Sequence, residues 1–380
     1  MENFIFKSIT GQLIKIFQNF NLYITFLKSK MSRDYQSFVE EASNYPNILN
    51  EYKKTGKIFT DNNFYQNDSF RKRDIDEFGN MEYIRLDEMY KAPLFEQDAI
   101  HQNYITQGGI GDCYMLAAHS RVAVNSYSIK SLFETVQPNL ILGEVKDSFN
   151  IECGAVVVYL RAHGRITPIL IDTTMPYKNG HLRFSRPVDI NKSAWFCLIE
   201  KAYAKLIGCY ADIIGGNLPL AIHSMYNFYY PKFITFKEAK KSDDELFAKI
   251  LKYYRKQAVM GTSIDLKNNV YNVTEEDLND KGLVSNHCYA LLKVKEFNKM
   301  RLFCLRNPWG HKEWNGDYSD KSPLWDKNPE LKKKCKWEDK EDGTFWMCEY
   351  VWVDDQNSLN YLKFLFMKNF FYFIFIYIII

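Results

Sequence analysis

Gln107-Gly108-Gly109-Ile110-Gly111-Asp112-Cys113-Tyr114 sets a cysteine directly ahead of Met115-Leu116-Ala117-Ala118, a run that reads as the start of a helix. Far downstream stand Asn286-His287 and Arg306-Asn307-Pro308-Trp309-Gly310. Cysteine, then histidine, then asparagine, with a glutamine upstream of the cysteine, is the chain order that a thiol hydrolase needs. Each residue alone has a plainer reading: a buried thiol, a structural histidine, a turn asparagine. Their joint occurrence in this order is what points to chemistry.

The nucleophile of such an enzyme is the thiolate, and an ordinary cysteine, with a pKa near ~8.5, is mostly protonated at neutral pH. Two devices lower that value. The positive end of a helix is one, and the position of Cys113 would supply it. An adjacent imidazolium is the other, and His287 would supply it. Asn307 would orient the imidazole by accepting a hydrogen bond from its other nitrogen. Gln107 and the Cys113 backbone N–H would donate to the oxyanion, and Trp309 would shield the Asn–His bond from water. Gly108, Gly109 and Gly111 would let the backbone turn sharply beside the thiol.

Working outward, a helix is predicted from about Asp112 to Val124. Ala155 to Leu160 and Ile166 to Ile171 read as a strand pair turning at Ala162-His163-Gly164. Trp195, Leu198, Ile199, Ala202 and Leu206 form a buried helical stripe after Ser193, closed by Gly208. Gly215-Gly216 is the expected hinge. Ser242-x-x-Glu245 reads as a capping box before the apolar face Leu246, Phe247, Ile250, Leu251 and Tyr254. Strands follow at Cys288 to Val294, Arg301 to Arg306 and Thr344 to Met347. Residues 33 to 100 read as loop-rich, with turn formers at Asp61-Asn62-Asn63 and Asn67-Asp68-Ser69. The expectation is an α+β fold, a helix-rich half carrying Cys113 and a β-rich half carrying His287 and Asn307, with a cleft between them. The expected divisions are an N-terminal segment 1–32, a first subdomain 33–215, a second 216–358 and an apolar tail 359–380.

At 380 residues, with 46% hydrophobic and 25% charged residues, the chain is ample for two cores and unlike a disordered one. A formal net charge of +3 is too small to argue for nucleic acid. The eight cysteines lack C-x-x-C pairs and zinc-ligand spacing, which fits buried thiols in a reducing, cytoplasmic setting. Both ends are unusual. Ile9, Leu13, Ile16, Phe17, Phe20 and Ile24 recur at helical spacing among lysines, the pattern of a helix lying on a membrane surface or packed on the protein. Phe370 to Ile380 carries no charge but falls short of the ~20 residues of a spanning helix. It is the candidate for membrane association, or a misassigned gene end.

These blocks resemble the calpain family of papain-like cysteine proteases. Besides the cysteine, histidine and asparagine motifs, Trp195-x-x-Leu198-Ile199-Glu200-Lys201-Ala202-Tyr203-Ala204-Lys205-Leu206, Gly261-Thr262-Ser263-Ile264 and Asp342-Gly343-x-Phe345-Trp346-Met347 match in order. The resemblance covers about Phe59 to Asp354. Its wide spacing, beyond the about 130–150 residues of papain and cathepsin, is in keeping with calpain-type insertions. It implies a papain-like two-subdomain core and limited endoproteolysis of protein substrates through a thioester. Cys113 would be the nucleophile, His287 the base and acid, Asn307 the orienter and Gln107 an oxyanion donor. It implies Ca2+ as a regulatory ion and no organic cofactor. Glu313, Asp320 and Asp342 stand where family ligands are expected, although Thr344 replaces a usual Glu and Tyr104 a usual Asp; Asp189 matches another ligand position. Tyr114 replaces the usual Trp and Asn286 the usual Gly, a position where Asn tolerates left-handed backbone. No C2-like or penta-EF-hand region is expected between Asp355 and Ile380. The runner-up is a catalytically weak binding or regulatory module, which the complete Cys–His–Asn set disfavours. A transglutaminase-type acyltransferase is disfavoured by Asn307 in place of Asp.

Overall fold

The computed structural model describes residues 33–65, 68–90, 101–123, 151–162, 165–216, 218–225, 229–235, 243–264, 274–298, 300–348 and 373–378. The expected helix within residues 1–32 and the turn at His163-Gly164 lie outside them, as does Ser242 of the expected capping box. The chain divides into two compact units, Met1–Asn80 with Leu132–Thr173 and Lys201–Ile213, and Met81–Ser131 with Thr174–Glu200 and Ile214–Ile380. Helices and antiparallel strands make up the described chain, an α+β fold.

In the first unit the polar clusters expected to be turns start helices instead. The Asp34 carboxylate accepts from the Ser37 N–H at 2.9 Å and caps Tyr35–Ala42. A proline in the first turn opens Tyr45–Thr55, and Gly56, at φ 70°, closes it. Asn62–Tyr65 and Asp68–Phe78 begin at the two predicted turns. The reason is physical: Asp, Asn and Ser side chains satisfy orphan N–H groups equally well in a turn or at a helix start. The strand pair forms a hairpin, Ala155–Ala162 against Arg165–Asp172, in unbroken register from Ala155↔Asp172 to Ala162↔Arg165. Its inner face packs Ala155, Val157, Tyr159 and Leu170 against Tyr45, Ile48 and Leu49.

Two lysines lie inside this unit. Lys201 pairs with Asp172. Lys205 donates to Glu41 and Asp61, each at 2.7 Å, and to the Leu170 carbonyl at 2.6 Å. Buried ammonium groups are tolerable only when paired and hydrogen-bonded in this way.

The second unit is built on a six-stranded antiparallel sheet. Its strand order is Thr344–Cys348, Met300–Arg306, Cys288–Phe297, Val259–Ser263, Phe373–Ile378, Tyr229–Thr235. The predicted strands are there, each running somewhat further than expected. Phe247, Ile250 and Tyr253 of the helix Asp243–Arg255 enter the same core as Tyr289, Phe303 and Phe345. Part of the expected apolar tail 359–380 lies among the described residues. Its stretch Phe373–Ile378 is a strand hydrogen-bonded on one side to Val259–Ser263 and on the other to Tyr229–Thr235. Its β-branched and aromatic residues suit a central strand, and among the described residues no helix is long and apolar enough to cross a membrane.

Candidate active site

The helix predicted at Asp112 runs over Cys113–Val122 and, from Tyr114 onward, is buried on every side. His119, Ser120 and Arg121 are buried along with its apolar residues. Only its first residue, Cys113, is part-exposed, at the end where the helix dipole favours negative charge. The approach is fixed by glycine. A Cβ on Gly108 would lie 1.9 Å from the Phe184 carbonyl oxygen, so no other residue passes there. Gly215, at φ +67°, donates its N–H to the Gly111 carbonyl at 2.8 Å, and Gly216 lies flat against the Tyr114 ring.

His287 precedes the strand Cys288–Phe297. The chain turns into it through Asn286, at φ 50°, whose N–H donates to the Ile264 carbonyl at 2.8 Å. The buried ring packs against Tyr289 and Trp309, with centroids 5.0 and 4.7 Å away. Nε2 lies 2.8 Å from Asn307 Oδ1. Asn307 follows the strand Met300–Arg306 and is fully buried. Its Nδ2 donates to the Lys312 carbonyl at 2.9 Å, which turns Oδ1 toward the histidine and toward the Trp309 N–H at 3.0 Å. With Oδ1 an acceptor, the proton between the two side chains sits on the imidazole.

The Cys113 pKa is held well below the ordinary thiol range by hydrogen bonding with Cys288 above all, then with His287, and by the imidazole charge, although burial opposes them. Gln107 is anchored by its own N–H to the Pro308 carbonyl at 2.8 Å, while its side-chain Nε2 donates to the Ile110 carbonyl at 2.6 Å. A side-chain amide carries two donors, so one N–H of Gln107 remains for another acceptor.

Sequence reasoning overlooked three neighbours of the thiol. Cys288 was read only as a strand residue. Asp112 and Glu200 form a buried carboxyl pair behind Cys113. Burial raises both, Asp112 strongly, with repulsion from Glu200 adding to it, and Glu200 to about 7. Glu200 accepts from the Ser185 N–H at 3.1 Å. The signal for the pair was present: an Asp abutting the cysteine and a Glu inside an apolar helical stripe.

The carboxylates expected to hold calcium lie elsewhere in the same unit. Glu313 Oε1 accepts from the Asp342 and Gly343 N–H groups at 3.0 and 2.6 Å. Asp320 accepts from the Lys340 N–H at 3.2 Å, and Asp342 from the Thr344 N–H at 2.9 Å and Asn103 Nδ2 at 2.5 Å. Glu313 and Asp320 line a cavity of about 430 Å³ with Asp317, Asp339 and Glu341. Burial first, then repulsion from neighbouring carboxylates, pushes Glu313 up to about 7; burial chiefly, with neighbouring carboxylates adding, pushes Asp320 to about 6. Among the described residues, no group of three His, Cys, Asp or Glu side chains is gathered so as to hold a metal ion. Asp189 takes the Asn191 N–H at 2.8 Å, and Tyr104 packs under the Lys192 ammonium.

Residues 59–360 match the model of the calpain family cysteine protease. Calpain-8 of Rattus norvegicus is 33% identical over 69% of this chain and 36% of its own length. Calpain-A of Drosophila melanogaster is 30% identical over 81% of this chain and 36% of its own. The calpain-2 catalytic subunit of Mus musculus is 28% identical over 80% and 42%. The chain thus aligns with well under half the length of these relatives.

Proposed function

Because the chain belongs to the calpain family of cysteine proteases, with a papain-like catalytic domain, we propose that it is a working endopeptidase that cleaves intracellular proteins through Cys113, His287 and Asn307. The observation that carries this reading is the 2.8 Å contact from His287 Nε2 to Asn307 Oδ1, on a ring whose charge helps hold the Cys113 thiol below its ordinary range. The thiolate attacks the scissile carbonyl carbon, and charge gathers on the carbonyl oxygen. The Cys113 N–H and the second amide N–H of Gln107 receive that charge, each donor worth about 3 kcal/mol in comparable sites. His287 gives its proton to the departing amine, leaving a thioester. It then takes a proton from water, whose attack frees the acid and returns the thiolate. Trp309, against the imidazole, excludes water from the Asn–His bond. The subdomain limits 33–215 and 216–358 belong to the same proposal.

Calcium fits the chemistry of the acidic cavity. Hard oxygen donors are present, and burial together with neighbouring carboxylates raises Glu313 and Asp320. Glu313, Asp320 and Asp342 are proposed as the donors that would hold it, as a regulator. No step of peptide cleavage runs through the ion.

The test is labelling with an epoxide-type thiol-protease inhibitor, with and without calcium, alongside casein cleavage. Labelling mapped to Cys113 supports the protease, and labelling only with calcium supports regulation by the ion. Equal labelling in both removes calcium regulation alone. No labelling and no cleavage in either leaves the binding-module reading.

A further inference from the structure

Beside the loop that carries Gln107 lies a hollow of about 290 Å³ whose charged lining is all of one sign. Lys178, His181, Arg183 and Arg186 line it with Gln107 and Gly109, and no Asp or Glu among the described residues joins them. Asn179 and Gly180, at φ 53° and 85°, make the two-residue turn from Thr174–Lys178 into His181–Leu182, which sets Lys178 opposite His181. Arg183 follows and is held twice to the Gln107 loop. Its carbonyl accepts from the Gly109 N–H at 2.9 Å, and its Nη1 lies where a Cβ on Gly109 would come within 2.5 Å of it. Arg186 pairs across strands with Thr106, the residue before Gln107.

We propose that this hollow is a substrate subsite for an acidic side chain, Asp, Glu or phosphoserine, of the polypeptide being cut, with Arg183 as its main anchor. Three cations share one wall, and none of Lys178, Arg183 and Arg186 forms an ion pair with a described residue. Like charges held together repel, and an anion between them removes that cost. Arg183 Nε is buried without a hydrogen-bond partner among the described residues, whereas buried polar groups nearly always have one. A guanidinium presents paired N–H groups in one plane, matched to the two oxygens of a carboxylate or phosphate.

Size and place favour a side chain over a free cofactor. The hollow falls just below the ~300–1,000 Å³ of pockets that enclose a drug-sized ligand. Gln107 serves on both sides: as oxyanion donor it faces the scissile carbonyl, and it also walls the hollow. An extended peptide rises about 3.3 Å per residue, so the anionic residue falls within about three positions of the cut bond. Selection there is by charge. Glu is drawn in, Gln of the same shape is not, and Lys is repelled by the wall. This assignment of the hollow to a substrate rests on the reading of Cys113 as the nucleophile of a protease.

The probes are synthetic peptides spanning casein, with single positions varied among Glu, Gln, Lys and phosphoserine. Cleavage by the full chain and binding to its Cys113→Ala variant, by fluorescence anisotropy, are both read. At one position near the cut bond, Glu should raise kcat/KM about tenfold or more over Gln, with Lys below Gln. That gain should shrink as salt rises. Arg183→Gln should bring the Glu-to-Gln ratio within about threefold. Lys178→Gln, at an exposed position of the hairpin, should lower the same ratio less, and it tests the wall even if the arginine variant fails to fold. A phosphoserine gain above that of Glu identifies a phosphorylated substrate; a gain at or below it identifies an acidic one. Equal rates for Glu, Gln and phosphoserine at every position, or a preference that both variants leave intact, overturn the subsite while the protease stands. Tighter binding of Glu peptides with no cleavage by the parent removes the protease reading and leaves an anion-selective peptide site.

Discussion

The thiol centre and the acidic cavity both withdraw ionisable groups from water, with opposite results for charge. At Cys113, hydrogen bonds from Cys288 and His287 outweigh burial and favour the ionised sulfur. At Glu313 and Asp320, backbone N–H donors are too few to offset burial and neighbouring carboxylates, and the acids are pushed toward the neutral form. Burial is common to the two; the partners differ. A site whose partners are all supplied by the chain is ready to act, whereas one with surplus charge waits for something to bring the opposite sign.

The comparison breaks first at the sulfur. Cys113→Ala should abolish epoxide labelling and lower casein cleavage by about 10⁴-fold or more, with thermal stability little changed. Retained cleavage would mean that the completed centre is not where the chemistry happens. Asn307→Ala removes the acceptor that holds His287 Nε2 and should reduce turnover by about 10²–10⁴-fold while substrate affinity holds. A loss confined to KM would reassign Asn307 to substrate binding.

Much of this centre was legible beforehand because its parts are local signatures. Gly-Asp-Cys before an apolar run, His before a strand and Asn-Pro-Trp after one each carry their own backbone geometry, and Asn286 adopts the left-handed turn its residue type allows. Glu200, Lys201 and Lys205 were harder, since a charged residue within an apolar stripe does not reveal its partner. Lys205 finds Glu41 and Asp61 from distant parts of the sequence. The tail is ambiguous for a related reason: an uncharged run such as Phe373–Ile378 is the same string whether it meets lipid or two neighbouring strands. The helices in residues 33–80 were hidden by turn-forming residues that also cap helices.

A smaller effect tests which carboxyl holds the proton behind the thiol. Asp112→Asn keeps a neutral donor facing Glu200 and should leave the melting temperature nearly unchanged. Asp112→Ala strands the buried Glu200 acceptor and should cost about 1–3 kcal/mol by denaturant unfolding. Equal costs for the two variants would place the proton on Glu200 instead.

The smallest effect belongs to the acidic cavity, and its sign is fixed by linkage. Glu313 binds its proton more tightly folded, at about 7, than its ordinary 4.5. It therefore opposes folding most above pH 7, and that opposition fades as pH falls toward 4.5. Asp320, at about 6 against 3.8, acts the same way over a lower window. Without calcium, the melting temperature should rise on going from pH 7.5 to 5.5. Solvent screening at a part-exposed carboxyl keeps the share from Glu313 small, roughly 1–3 °C. The Asp112–Glu200 pair titrates with the same sign, so the informative quantity is the difference between the parent and Glu313→Gln. That variant should lose its share of the rise and be the more stable protein at pH 7.5. Added calcium should stabilise the parent at pH 7.5, do less at pH 5.5 where protons compete for the same oxygens, and do less in the variant at either pH. Parallel profiles for parent and variant would show that the negative charge at this cavity is already balanced, and the contrast with the thiol centre would disappear.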